Sequence, residues 1–156
     1  MNNFYNSKKS YQNQNRNQNR NQNQNSKKLR RKNRSGINRK KITPFLLSTF
    51  IRVGKKNTIQ DYMNELPHNE LQIYTWIDAT LKELTSIIKR LCSPARQKNA
   101  KLSFAFVFKD KYSGYIMFKN VGYTFSSKSS DNDFKTLENL GFRIGDFLDV
   151  AIFLED

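Results

Sequence analysis

Hydrophobic and polar residues alternate in a set of short segments in the C-terminal three-quarters of this 156-residue chain. Phe45, Leu47, Thr49, Ile51 and Val53 fall on one face at a period of two, which predicts a strand. Gly54-Lys55-Lys56-Asn57 is a turn signal, and Thr58 to Tyr62 reads as a second strand returning from it. A connection through Pro67 and His68 then leads into the run Leu71 to Ile77. Thr80 and Glu83 stand at capping-box spacing before an apolar stripe of Leu81, Leu84, Ile87, Ile88 and Leu91, a helix that Pro94 stops. Leu102, Phe104, Phe106 and Phe108 alternate with Ser103, Ala105, Val107 and Lys109, a strand with a bulky inner face. A loop over residues 110–114 and a return strand over residues 115–121 complete a hairpin. In the last strand Leu148, Val150, Ile152 and Leu154 oppose Asp149, Ala151 and Phe153. A mixed five-stranded sheet with one main helix across a face is an α+β domain, and it is expected over residues 42–156.

Residues 1–41 follow no such period. From Gln12 to Asn25 every odd position is Asn, with Gln or Arg between, so no aliphatic side chain offsets the entropy of ordering the backbone. A disordered, basic, low-complexity tail is expected there. The tail also changes the meaning of the charge. It holds 13 of the 28 Lys and Arg and no acid, leaving the remaining 115 residues at +2 out of a total of +15. Lys27, Lys28, Arg30, Arg31 and Lys32 form the densest run, a candidate nuclear-localisation signal. Such a run also attracts phosphate backbones, so direct, nonspecific RNA binding through the tail is the alternative function. No aromatic residue is interleaved with residues 27–41 to stack on bases.

The candidate chemistry is sparse. Cys92 is the only cysteine, which leaves no intrachain disulfide or multi-thiolate metal site. His68 is the only histidine and follows Pro67 in a polar connection. The pairs Asp131 and Asp133, and Asp146 and Asp149, are the remaining acid–base candidates, and they read as turn and strand-end acids. No phosphate-binding loop, nucleophile elbow or metal-ligand spacing occurs. The expectation is therefore no enzyme, no cofactor, no metal and no small-molecule substrate. A chain end of Glu155-Asp156, in place of Gly-Gly, sets the expectation against conjugation to other proteins. With no apolar run of signal or spanning length, no membrane association is expected. Protein binding remains, and alternation in the run before the helix sets Gln72, Tyr74 and Trp76 opposite Leu71, Ile73 and Thr75 as candidate contacts, the competing reading being that Tyr74 and Trp76 pack under the helix start.

The sixteen residues from Glu70 to Thr85, ELQIYTWIDATLKELT, closely resemble the signature of the family of the Sin-three-associated polypeptide of 18 kilodaltons. Collinear matches follow at Pro44-Phe45-Leu46-Leu47, at residues 104–108, at Gly114-Tyr115 and at residues 142–152. Two departures are Ser48-Thr49, where the family usually has Arg-Val, and residues 126–130, which lack the usual glycines. The resemblance implies a ubiquitin-like β-grasp fold and a nuclear, non-catalytic adaptor. The partners it implies are a Sin-type scaffold with histone deacetylases, or an Acinus-like peptide and an RNA-recognition-motif protein in splicing-associated, exon-junction assemblies.

Overall fold

The computed structural model describes residues 39–155 apart from residue 41. The tail, including the run Lys27, Lys28, Arg30, Arg31 and Lys32, lies outside the described residues except for Arg39 and Lys40. The elements are β1 (Phe45–Val53), α1 (Ile59–Met63), β2 (Glu70–Thr75), α2 (Leu81–Leu91), a 3-10 turn (Pro94–Arg96), β3 (Ala100–Lys109), β4 (Ile116–Phe125) and β5 (Phe147–Leu154). They build one five-stranded sheet in the order β2-β1-β5-β3-β4. Only β1 and β5 run parallel; β1–β2, β3–β5 and β3–β4 are antiparallel. A mixed sheet of this order, with α2 crossing between β2 and β3, is the ubiquitin-like β-grasp arrangement.

One strand differs from the sequence reading. Thr58–Tyr62 is not the returning strand: Thr58 caps the short helix α1, and β1 pairs instead with Glu70–Thr75. The Asp61 carboxylate accepts from the Thr58 backbone N–H at 2.7 Å and from its hydroxyl at 2.9 Å, closing the first turn that a strand would have left open.

The helix α2 begins as its capping residues require. Thr80 Oγ1 accepts from the Glu83 N–H at 3.1 Å, and Glu83 Oε2 accepts from the Thr80 N–H at 3.4 Å. The Leu81 and Lys82 N–H groups donate to the carbonyls of Lys135 and Asp133, so the 133–138 segment covers the helix start. Leu81, Leu84 and Ile88 bury against Leu47, Ile51, Ile73, Leu102, Phe104, Phe106, Leu148, Val150 and Ile152, the face that alternation assigned to the core.

Part of the opposite face is covered as well. Phe50, Tyr62 and Val107 form a second buried cluster with Phe147, Ile116 and Phe118 packed on it. Tyr62 of α1 meets Phe50 and Phe118 edge-on at 5.4 Å. Ala105 and Ala151 are buried on this side too.

Candidate partner-binding surface

The sheet has two edges, β2 and β4, and their sequences treat the exposed backbone differently. Natural edges are blunted by lysine, proline or a bulge. β4 carries Lys119 and a bulge: Phe104 pairs with Gly122 but Ala105 with Asn120, leaving Val121 over. Gly122 sits at φ 142°, and a Cβ there would meet the Asn132 side chain at 2.8 Å, so the kink needs glycine. β2, with the sequence ELQIYT, has no such device and pairs regularly with β1.

Along that open edge Tyr74 lies opposite Leu46, and Gln72 opposite Ser48. These four share the face on which Tyr62 of α1 covers Phe50 further along β1. Gln72 is exposed, Tyr74 is 73% exposed and Leu46 is 42% exposed. Ile73 and Thr75 are buried on the α2 side, as alternation required. Thr49 is buried too, which ties the Ser48-Thr49 departure to the core at one residue and to this surface at the other.

Trp76 does not join them. The strand ends at Thr75, and the Ala79 N–H donates to the Trp76 carbonyl at 3.0 Å in the turn that follows. Trp76 is half-buried beside the start of α2, with the Arg39 guanidinium 5.0 Å above its ring. Arg39 Nε donates to Asp78 Oδ1 at 2.9 Å and Nη2 donates to Glu83 Oε2 at 2.8 Å. These contacts, the Glu83 hydrogen bond foremost, raise the Arg39 pKa above its ordinary value. Arg39 was grouped with the basic tail by charge alone; no local signal links it to partners 39 and 44 residues away.

The acid–base candidates are dispersed. His68 is exposed, and half-buried Cys92 packs against the main core. Asp131 is exposed, whereas Asp133 is buried, paired with Lys82 at 3.4 Å and receiving the Ser130 hydroxyl at 3.0 Å. Asp146 accepts from the Arg143 N–H at 3.1 Å in the turn before β5.

Asp149 is buried in the second cluster, where its Oδ2 accepts from Tyr62 Oη at 2.6 Å and Asn57 Nδ2 at 2.7 Å. Arg52 Nη1 donates to Asn57 Oδ1 at 3.1 Å, which turns the amide's N–H group toward Asp149. Burial pushes the Asp149 pKa up, while the two donors oppose it. The Tyr62 phenol is raised as well, by burial first and by Asp149 second. Through Asp149 Oδ2 the network joins Tyr62 of α1 and Asn57 to β5, so it fastens α1 to the sheet.

A family model described as Sin3 associated polypeptide p18 (SAP18) matches residues 36–152. The chain belongs to the SAP18 family. It is 44% identical over 121 residues to the histone deacetylase complex subunit SAP18 of Arabidopsis thaliana, covering 75% of this chain and 79% of that one. The human protein of the same name is 44% identical over 119 residues, covering 74% and 77%. The probable subunit of Caenorhabditis elegans is 38% identical over 122 residues, covering 76% and 74%. The C-terminal ubiquitin-like domain of mouse tubulin-specific chaperone e aligns at a TM-score of 0.36 and 14% identity, over 74% of this chain and 91% of that domain. The SAP18 match takes in Arg39, the β2 edge, both helices and most of β5.

Proposed function

We propose that this chain is a non-catalytic adaptor subunit of nuclear assemblies, foremost a histone deacetylase complex, and that it holds a partner along the open edge of β2. Membership of a family whose matched relatives are named histone deacetylase complex subunits carries the reading. The unguarded β2 edge supports it: an extended peptide can add to such an edge through its main chain while side-chain anchors supply specificity. Tyr74 is that anchor, large, rigid and polar-tipped, with Gln72 and Leu46 beside it. The resemblance over Glu70–Thr85 extends the partners to a Sin-type scaffold, an Acinus-like peptide and an RNA-recognition-motif protein. The basic run at residues 27–32 serves nuclear import.

Affinity purification of the full chain from nuclease-treated nuclear extract, with bound proteins identified by mass spectrometry, tests this. At least one of those partner classes is expected with the wild-type chain and lost with Tyr74→Ala. Recovery of none of them overturns the reading. Dependence of every interaction on intact RNA, with steep loss between low and physiological salt, supports nonspecific RNA binding by the tail instead.

A further inference from the structure

At the start of α2, an aromatic face and two carboxylates close around one guanidinium. Trp76 supplies the ring, 5.0 Å from Arg39 Cζ, while Asp78 and Glu83 accept from its Nε and Nη2. This combination suits arginine better than lysine. A planar guanidinium stacks on a ring while its fixed fork of donors reaches two acids at once, whereas an ammonium has no plane to stack and is more strongly hydrated. Glu83 is held in place by its capping contact with Thr80, and the Asp78 side chain is 13% exposed, so the acceptors are set by the fold. Arg39 itself remains 37% exposed, a side chain laid on the site from outside. A second observation concerns the ring. Among the described residues, Trp76 Nε1 is a buried side-chain polar atom with no hydrogen-bond partner. A buried donor left unmet is costly, and a ligand carbonyl that met it would remove that cost.

We infer that Trp76, Asp78 and Glu83 form an arginine-recognition site for a partner peptide, and that Arg39 occupies it in cis as a displaceable cap. The site takes a guanidinium side chain from an extended segment, whose backbone carbonyl reaches the indole N–H. It lies beyond the end of β2, is separate from the Tyr74 face, and stands whether or not the adaptor reading holds.

Trp76 is the chain's only tryptophan, so its indole N–H gives a single, assigned NMR signal in the full-length protein. The probes are a capped Gly-Ser-Arg-Ser-Gly peptide and its lysine counterpart. A cap seated about nine-tenths of the time weakens apparent affinity about tenfold, and its removal restores it. The arginine peptide should therefore shift the indole signal at about tenfold lower concentration in Arg39→Ala than in the wild type. The double variant Arg34→Ala/Arg39→Ala, which removes the next arginine as a substitute cap, should do at least as well. The lysine peptide should shift it weakly. Asp78→Asn and Glu83→Gln, near-isosteric changes that keep the helix capped, should abolish the response. Equal titrations of the wild type and both cap variants, equal responses to arginine and lysine, or no response at the solubility limit would each overturn the proposal. Arg39 would then be a surface ion pair and nothing more.

Discussion

Replacing Tyr62 with Phe removes one oxygen and leaves the ring stacked in the second cluster. Its hydroxyl donates at 2.6 Å to Asp149, which has Asn57 as its other side-chain donor. A hydrogen bond to a charged acceptor contributes about 1.5–3 kcal/mol, and because Asp149 keeps Asn57 as a donor the loss falls toward the middle of that range. A loss of about 2 kcal/mol lowers the melting temperature of a domain this size by roughly 8 °C. The penalty depends on pH in a direction set by Asp149. Its folded pKa lies above the ordinary carboxylate value, mainly through burial. Its contribution to stability is therefore fully present below about pH 4 and is lost as pH rises through the folded value. Once protonated, Asp149 needs the Tyr62 donor less, and the cost of Tyr62→Phe shrinks to about 1 kcal/mol. Urea unfolding followed by Trp76 fluorescence at pH 8 and pH 4 measures both. A penalty under about 0.5 kcal/mol at pH 8, or one that grows on acidification, refutes the role given to this network.

Other changes follow from the same geometry. Thr85 Oγ1 donates to the Leu81 carbonyl at 2.7 Å, so the 2.6 Å contact with Thr124 is donated by Thr124. Thr85→Val should then cost about 1–3 kcal/mol by stranding the Thr124 hydroxyl, and Thr124→Val about 1 kcal/mol, compared by urea unfolding. Gly122→Ala meets both a φ of 142° and the Asn132 side chain, and should cost about 1–3 kcal/mol in the same assay. Thr80→Ala removes the cap of α2 and should cost about 1 kcal/mol, read as a lower melting temperature by circular dichroism. Asp61 and Asp110 are held low, chiefly by the backbone N–H groups of Thr58 and Ser113 respectively. A carboxyl-carbon NMR titration should therefore show both losing their charge at lower pH than Asp149.

Legibility followed how local each cause was. The α2 stripe, its cap and the alternation of β3 and β5 lie within single elements, where one period repeats long enough to be read. Thr58–Tyr62 has five residues, less than two helical turns, so its period distinguishes nothing. The Thr58-x-x-Asp61 spacing was the readable sign of a helix start. The second cluster was hidden because Phe50 is out of phase with the core face of β1, and a strand covered on both sides keeps no clean alternation. Although packing under the helix start was the stronger reading of Tyr74, its face was legible from alternation. The open edge beside it was not, because edge position depends on the whole sheet order. Arg39 was the least legible of all: the charge run that contains it predicts a solvated tail, and only the folded chain brings it over Trp76.

The adaptor reading is tested most directly by asking whether the immobilised full-length chain captures histone deacetylase activity from nuclease-treated nuclear extract. Captured activity is expected with the wild-type chain, with a loss of about 30-fold in apparent affinity for Tyr74→Ala, corresponding to about 2 kcal/mol for one central anchor. The variant should melt at the wild-type temperature, because Tyr74 is 73% exposed. No captured activity with the wild-type chain, or capture untouched by Tyr74→Ala, would contradict the adaptor reading.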